Sequence, residues 1–198
     1  MRHLLLILSL FAVAMPAQIQ TIAIRPSPEN RMQLLVTKTG FLRGKQHLFL
    51  FERYDGSIRY DTRKPEASQV SFSIESSSIS CKDTWVSVND LRKIQEMALK
   101  DMLDAEHHPR IVFVSTAIKE VGPGKFDIQG QLTIRGIAKP ITAVVSMTTA
   151  AGGGLSFEGR SQVRLTDYNL KPPSAALGTI GTKDEMSFSF LLAGKPAN

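Results

Sequence analysis

Hydrophobic and polar residues alternate with a period of two along much of the chain, which is typical of strands with one buried face. In Val70–Ile74 every second residue is apolar and the residues between are serines. Three more segments alternate in the same way, with apolar positions at Phe126, Ile128, Leu132, Ile134, Leu155, Phe157, Val163, Leu165, Met186, Phe188, Phe190 and Leu192. Turn signals separate the segments at Asp55–Gly56, Gly122–Gly124 and Gly152–Gly154. The pattern predicts an all-β chain of about eight to ten antiparallel strands.

A helical period interrupts the strands once. Apolar residues recur at helical spacing at Leu91, Ile94, Ala98, Met102 and Ala105. Asn89 or Asp90 is the expected N-cap, and Glu96 and Lys100 form a favourable pair four residues apart. Pro109 is expected to end the segment. The sequence therefore predicts one short α-helix among the strands.

Two arrangements bury one apolar face per strand: two sheets packed as a sandwich, or one sheet closed into a barrel. A barrel of about eight strands is wide enough to hold one small ligand. The apolar faces carry many large side chains, so they either fill the interior or line a cavity. Composition alone leaves both arrangements open.

The first residues have the layout of a secretory signal peptide. A short basic start precedes the apolar run Leu4–Ala14, and small residues follow it. The run is shorter than the ~20 residues that a membrane-spanning helix needs. We expect a signal peptide over residues 1–17, cut after Ala14 or Ala17, and a single mature domain over residues 18–198. Such a protein is periplasmic or extracellular.

Composition narrows the classes of protein further. The chain has 198 residues, 42% hydrophobic and 21% charged, and a net charge of +6. Cys81 is the single cysteine, which excludes an internal disulfide and a multi-cysteine zinc site. The lysines and arginines are scattered and not clustered with aromatic residues, so no nucleic-acid partner is expected. Peripheral contact with an anionic membrane surface fits the charge better.

Two segments resemble the YceI family. Leu91–Ile118 reads LRKIQEMALKDMLDAEHHPRIVFVSTAI. It resembles that family's leucine-rich helix, which ends in a turn before a proline, here Asp104–Pro109, and precedes a strand of F-x-S-T type, here Phe113–Thr116. Gly130–Val145 reads GQLTIRGIAKPITAVV and resembles the family's G-x-L-T-I-x-G-x-x-K-P hairpin. Each motif is short, and the combined spacing is what makes the resemblance specific.

The resemblance extends from about Gln18 to Lys195. FERYDGSIRYD, which starts at Phe51, is similar to the family's earlier turn, and SQVRLTDYNLK and IGTKDEMSFSFLLAGK are similar to its last two strands. The chain departs from the family at Lys38, which stands near the position of a frequent histidine, and at GFLRGKQHLFLF, where the family often has G-x-F. We therefore expect one end of the barrel, and the head group bound there, to differ.

The resemblance implies an elongated, lipocalin-like antiparallel barrel in a secreted or periplasmic protein. It also implies a binding protein, a carrier or a sequestering protein, that holds a long apolar molecule in its lumen. Polyisoprenoids, isoprenoid quinones and fatty amides are the ligand classes associated with the family, and most members are not known as enzymes. Two alternatives remain: an enzyme that acts on an amphipathic small molecule in the same cavity, and an interaction protein with a filled core.

The expected ligand contacts are the large apolar residues on the inward faces. They are Phe72, Ile74, Phe113, Phe126, Ile128, Leu132, Met147, Phe157, Val163, Phe188 and Phe190. Trp85 is expected to line an opening. The loop Asp167–Asp184 is rich in proline, glycine and small residues, and it is either a rim of the cavity or a solvated loop. As a rim it would offer Leu177 and Ile180 as apolar contacts and Lys171 and Lys183 to an anionic head group.

Signals for other chemistry are weak. The sequence has no G-x-S-x-G or H-E-x-x-H motif, and no phosphate loop or dinucleotide fingerprint that would indicate a cofactor. The adjacent histidines His107 and His108 fit the end of a helix better than a metal site. Asp101 and Asp104 fit a solvated helix face better than a catalytic acid pair. No catalytic or metal-binding residue is predicted.

Overall fold

The computed structural model describes residues 19–150 and 153–196, and these form one curled antiparallel sheet with a single helical segment. The predicted signal peptide and both of its cleavage positions lie outside the described residues. Within the described part, no helix is long and apolar enough to cross a membrane.

Twelve strands and one α-helix make up the described fold. In chain order they are β1 (Ile19–Ile24), β2 (Arg31–Gly40), β3 (Gln46–Phe51), β4 (Tyr54–Asp61), β5 (Gln69–Glu75), β6 (Ile79–Cys81), α1 (Val88–Met97), β7 (Arg110–Gly122), β8 (Lys125–Ile134), β9 (Ile137–Thr149), β10 (Leu155–Arg164), β11 (Ile180–Thr182) and β12 (Glu185–Gly194). The prediction of an all-β antiparallel barrel with one helix is confirmed. The strand number is higher than predicted because β6 and β11 have three residues each, too few to show an alternating pattern.

Neighbouring strands of the curled sheet are antiparallel, and β4–β5 and β7–β10 follow one another in chain order. Their order is β1–β4–β5–β7–β8–β9–β10–β12–β2–β3–β6, and β11 pairs with the upper part of β2. The end strand β1 also approaches β12, and its Ile22 forms a single bridge with Pro196. One face of the curled sheet therefore encloses an interior, and the other faces solvent.

Directly paired residues point to the same side, so the register shows which side chains meet inside. Phe72 of β5 pairs with Phe113 of β7, which pairs with Leu132 of β8. The alternation in β7 shifts at Ser115, where the pairing with β8 skips a residue. On its other side, Ser115 extends the pairing of β7 with β5, since its hydroxyl accepts a hydrogen bond from Val70 N at 2.8 Å. The serine of the F-x-S-T motif is thus a structural residue of the sheet.

Helix α1 begins two or three residues earlier than the sequence suggests. Its N-cap is Ser87, whose hydroxyl accepts a hydrogen bond from Asp90 N, so the prediction of Asn89 or Asp90 was wrong. Polar Asn89 and Asp90 occupy the first turn, where acidic residues favour the helix dipole. The helix continues through a π-helical turn over residues 98–102. The predicted pair is confirmed, since Lys100 Nζ lies 2.6 Å from Glu96 Oε1.

Two of the turn signals fall in the described residues. Gly122–Gly124 connects β7 to β8, as predicted. Asp55–Gly56 was wrongly predicted as a turn, since both residues lie within β4. Gly56 is needed there for another reason: a Cβ atom would lie 2.2 Å from Cε1 of Phe72, its neighbour on β5. The third signal begins at Gly152, outside the described residues.

Candidate functional site: an apolar cavity in the barrel

The curled sheet encloses a cavity of about 660 Å³. Its wall is formed by the inward faces of the strands and by one side of the helical segment. On β2, for example, Met32, Leu34 and Val36 all line the cavity, and Lys38 follows at the same spacing. Since a strand rises about 3.3 Å per residue, these four positions extend over about 20 Å. The volume lies within the range of small-molecule sites, about 300–1,000 Å³.

Glycines in the wall explain how large aromatic residues line the cavity without filling it. The ring of Phe190 on β12 lies against its partner Gly159 on β10, where a Cβ atom would come within 2.3 Å of the ring. Phe72 lies against Gly56 in the same way, and Phe113 lies against Gly130 of β8. Each ring occupies the space that a side chain would have taken. The interior next to these rings therefore stays open.

Nine of the twelve predicted lumen residues lie on the cavity wall. They are Phe72, Ile74, Trp85, Phe113, Ile128, Leu132, Val163, Phe188 and Phe190. Their contact with a ligand remains a prediction. The other three, Phe126, Met147 and Phe157, also point inward, but they do not line the cavity. Phe126 and Phe157 are only 6% and 7% exposed, and Phe157 pairs with Met147. These three side chains fill the closed end of the barrel below the cavity.

The predicted rim is placed differently. Ile180 lines the cavity, but Lys171, Leu177 and Lys183 do not. All three are exposed, and Leu177 lies at a left-handed backbone position in the middle of the loop. Lys183 follows Thr182 on the same stretch of chain and therefore points to the opposite side. The placement of the two lysines fits the alternative of a solvated loop at these positions better than that of a cavity rim.

The open end of the cavity contains a buried lysine, which the sequence singled out only as a difference from the family at one end of the barrel. Lys38 is 9% exposed and lines the cavity, and Nζ lies 3.5 Å from the hydroxyl of Thr182 on β11. Burial lowers the pKa of Lys38 below its ordinary value, because water stabilises the ammonium better than an apolar wall does. The sequence does indicate that Lys38 faces inward, because it follows Met32, Leu34 and Val36 at the same two-residue spacing along β2.

A histidine lies beside this lysine on the wall. His47 of β3 pairs with Val36 of β2 and lines the cavity. Its Nδ1 atom lies 2.5 Å from Oδ2 of Asp83, whose Oδ1 accepts a hydrogen bond from Leu48 N. The indole of Trp85 stacks on the His47 ring at a centroid distance of 5.3 Å. The ring is thus fixed on one side by a carboxylate and on one face by an indole, and sequence reasoning found only Trp85 of this group.

Helix α1 and two loops form the mouth. Ser87, Asp90 and Lys93 of the helical segment line the cavity and are exposed. The helix is attached to the barrel through Gln95, whose side chain accepts a hydrogen bond from Cys81 N and donates one to the carbonyl of a second β6 residue. Leu42 of the β2–β3 connection and Pro173 of the loop before β11 also line the cavity. The helix and these two loops border the open end.

Other reactive groups lie away from the cavity. His107 Nδ1 lies 2.8 Å from Oδ1 of Asp104, and this contact raises the pKa of His107 and lowers that of Asp104. Among the described residues, no three histidine, cysteine or acidic side chains lie together as metal ligands do. Cys81 is buried, and burial raises the pKa of its thiol to about 11. The contacts of these groups are typical of structural residues.

Comparison with known proteins gives the same picture from sequence. The family model of the YceI-like domain matches residues 32–192. A UPF0312 protein of Pseudomonas putida strain W619 is 30% identical over 135 residues, which are 66% of this chain and 67% of that protein. A UPF0312 protein of Pseudomonas fluorescens strain SBW25 is 29% identical over an equally long segment.

Solved structures share the fold. BcnA of Burkholderia cenocepacia is similar with a TM-score of 0.66 at 21% identity, over 83% of this chain and 95% of that one. The YCEI protein of Campylobacter jejuni gives 0.61 at 15% identity, over 76% and 84% of the two chains. A polyisoprenoid-binding domain from Saccharophagus degradans, implicated in plant cell wall breakdown, gives 0.62 at 10% identity, over 88% and 98%.

Proposed function

Because the chain belongs to the YceI-like domain family and its barrel encloses an apolar cavity, we propose that it binds a long apolar lipid there. The ligand classes that fit are a polyisoprenoid, an isoprenoid quinone and an acyl lipid such as a fatty amide. The observation that carries the proposal is the open lumen: the aromatic rings that could have filled it lie against glycines in the wall. The polyisoprenoid-binding domain with the same fold supports the ligand class.

The energetics of such a site need no polar contact along the chain. Transfer of each methylene from water into an apolar cavity is favourable by about 0.8 kcal/mol. Ten buried methylenes would contribute roughly 8 kcal/mol, against a cost of association of at least about 4 kcal/mol. Net binding therefore depends on the length of chain that the cavity takes in. This accounts for a wall with few polar side chains except near the mouth.

The two alternative functions fit the cavity less well. A filled-core interaction protein requires Phe72, Phe113 and Phe188 to close the lumen, whereas all three line an open cavity. A hydrolytic enzyme requires a nucleophile next to a base. His47 is the only histidine among the described cavity residues, and its hydrogen bond is to Asp83. The described side chains place no hydroxyl or thiol in a hydrogen bond with the His47 ring.

The decisive experiment blocks the lumen while leaving the outer surface as it is. Ala143 and Val144 are neighbours on β9: Ala143 lines the cavity and is 7% exposed, whereas Val144 is 47% exposed on the outer wall. Ala143→Phe puts a ring into the lumen, and Val144→Phe puts the same ring outside. We expect native mass spectrometry to find co-purified lipid on the wild type and on Val144→Phe, and much less on Ala143→Phe.

The outcome that contradicts the proposal is equally clear. If the wild type carries no lipid and takes up none when geranylgeraniol or hexadecanamide is offered, the protein does not bind lipids in this cavity. Equal lipid content in Ala143→Phe and Val144→Phe would mean that bound lipid lies outside the lumen. Circular dichroism of both variants checks that the barrel is intact.

We extend the proposal to delivery from a membrane surface. Phe41 and Val88 are 89% and 84% exposed, and each adjoins a residue that lines the mouth. Leu177, which is fully exposed, lies near Phe41, since Phe41 N donates a hydrogen bond to Thr179 O. Exposed Arg43 and Lys45 lie in the same connection as Phe41, and exposed Lys93 lies on the same helix as Val88. Apolar side chains beside cations are suited to contact with an anionic bilayer.

A vesicle assay tests this contact. The double variant Phe41→Ser with Leu177→Ser removes apolar area at the mouth, and Val144→Ser removes exposed apolar area from the outer wall. We expect the double variant to sediment less with phosphatidylglycerol vesicles than the wild type, and Val144→Ser to sediment as the wild type does. Equal sedimentation of all three proteins would contradict membrane contact through the mouth.

The proposal includes an extracytoplasmic location. Its support is the sequence of residues 1–17, with a basic start and an apolar run before small residues. Cell fractionation with mass measurement of the mature chain tests it. A mature chain that starts after Ala14 or Ala17 in the extracytoplasmic fraction is expected, and an uncut chain in the cytoplasm would contradict it.

A further inference from the structure

Lys38 is a buried cation without a counter-ion. It is the one lysine or arginine that is buried among the described residues, at 9% exposure. The described structure places no carboxylate within 4 Å of its Nζ atom, and its one side-chain hydrogen bond is with the hydroxyl of Thr182 at 3.5 Å. A buried charge is costly unless it is paired. The position is therefore incomplete in the free protein.

Two acidic side chains beside this part of the wall have other partners. Asp83 has one carboxylate oxygen 2.5 Å from His47 Nδ1, and its other oxygen accepts a hydrogen bond from Leu48 N. Asp90 at the mouth lies 3.9 Å from Lys93 Nζ. Neither carboxylate forms an ion pair with Lys38. A molecule in the cavity is therefore the candidate partner.

Hydrogen-bonding groups converge at the same place. Thr182 pairs with Lys38 across β11 and β2, so the hydroxyl and the ammonium lie on the same side of the sheet. His47 lies on the adjacent strand, and its Nε2 atom has no hydrogen-bond partner among the described residues. Below these groups the wall is apolar, beginning with Val36 and Leu34. The site therefore combines one buried cation near the mouth with an apolar channel beneath it.

We propose that this site binds the acidic end of a long-chain monoanion, a carboxylate, by an ion pair with Lys38 and a hydrogen bond from the Thr182 hydroxyl. The single buried cation fits a single negative charge. Lys93 also lines the mouth, but it is exposed and lies 3.9 Å from Asp90. Lys171 and Lys183 are exposed and lie off the cavity wall. The inference deepens the proposed function and rests on it, since the chain of the same molecule occupies the lumen. It places the carboxylate at the mouth and the tail towards the closed end.

Matched ligands and matched variants test the assignment on the full-length mature protein. Hexadecanoic acid and hexadecan-1-ol share a chain and differ in the terminal group. Their affinities are measured by displacement of N-phenyl-1-naphthylamine, an uncharged apolar fluorophore. Lys38→Met removes the buried charge and keeps a similar length. Lys183→Met removes a charge from an exposed position and serves as the control.

The wild type is expected to prefer the acid over the alcohol by about tenfold or more, the range of a charge-assisted hydrogen bond. Lys38→Met should lose this preference with little change in its affinity for the alcohol, which also shows that the variant is folded. Lys183→Met should keep the preference.

Other results overturn one proposal or the other. Equal wild-type affinities for acid and alcohol would overturn the role of Lys38 and leave lipid binding intact. A preference that survives in Lys38→Met would assign the acid to another group. Tighter binding of hexadecyl phosphate than of hexadecanoic acid would overturn the monoanion assignment. Failure of both ligands and the fluorophore to bind the wild type would overturn the proposed function itself.

Discussion

The glycine at position 159 offers a direct way to shorten the cavity without replacing any of its lining residues. An ideal Cβ atom there would lie 2.3 Å from Cζ of Phe190, well inside the van der Waals distance. Gly159→Ala therefore forces the Phe190 ring away from the wall. Since the solvent side is occupied by the sheet itself, the ring turns into the cavity, and the lumen loses room near Met32 and Val145, the neighbours of Phe190 and Gly159 in the ladder.

The size of the effect follows from the chain that the ring displaces. If the ring takes the room of about two methylenes, a ligand that fills the cavity loses about 1.6 kcal/mol, which is about 15-fold in affinity. A shorter ligand that never reaches Phe190 loses nothing. Overpacking also costs the fold about 1–3 kcal/mol. The variant should therefore be less stable in urea and should discriminate against long chains.

The assay is a series of straight-chain alcohols of increasing length, titrated against the wild type and Gly159→Ala. We expect affinity to rise by a similar factor per methylene in both proteins and to level off about two carbons earlier in the variant. Gly122→Ala is the matched control, because a Cβ atom at Gly122 would approach only the Lys125 side chain, at 4.0 Å. Replacing Phe190 by leucine in the Gly159→Ala protein should move the plateau back.

One result would refute the reasoning: a plateau at the same chain length in Gly159→Ala and in the wild type, with both proteins folded. The ring would then have found room elsewhere, or the chain would not pass Phe190. In either case glycine positions in the wall would not control the depth of the lumen.

Three further predictions concern the fold around the cavity. Arg53 holds the pKa of Glu75 down to about 2. This carboxylate therefore stabilises the fold above its unfolded pKa of 4.5 and loses that contribution as the pH falls towards 2. Between these two pH values, the free energy of unfolding of Glu75→Gln in urea should depend less on pH than that of the wild type. Asp83→Ala leaves His47 Nδ1 and a strand N–H without their acceptor and should cost about 3 kcal/mol in urea unfolding, whereas a loss below about 0.5 kcal/mol would mean that the pair has no structural role. Cys81 should react with a thiol reagent only after denaturant is added, because its thiol is buried and its pKa is raised to about 11; rapid reaction of the native protein would contradict this.

The sequence was sufficient to predict the all-β barrel because the period-two pattern persists in the longer strands. It was sufficient for the inward faces as well: Phe72 and Phe188, for example, were assigned to the correct side. It was not sufficient for height along the barrel. Phe126 and Phe157 follow the same alternation as the lining residues, yet they lie below the cavity. Alternation predicts which side of the sheet a side chain faces, whereas its height along the barrel depends on the pairing register of the strands.

The polar part of the site was beyond the alternation argument for a different reason. Alternation along β2 places Lys38 on the inward side, but a lysine at the end of a strand is ordinarily solvated. Its burial depends on β11, a three-residue strand that covers the end of β2 and that no sequence pattern marks. The opposite case concerns Lys171 and Lys183, which were considered as contacts for a head group and lie off the cavity wall. They belong to irregular chain, where neither strand nor helix spacing predicts the direction of a side chain.

The direction in which a ligand lies follows from combining these two features of the wall. The closed end is filled by apolar side chains, including Phe126 and Phe157, which offer a polar group nothing in exchange for its water. The open end holds Lys38, Thr182 and His47, which offer it a charge and hydrogen bonds. A molecule with one polar end gains from both ends only when its tail enters first. A molecule with two polar ends would bury one of them without a partner, so we expect the barrel to favour amphiphiles with a single head group. Of two carboxylates with the same chain, the one whose far end is a methyl group should therefore bind more tightly than the one whose far end is a second carboxylate.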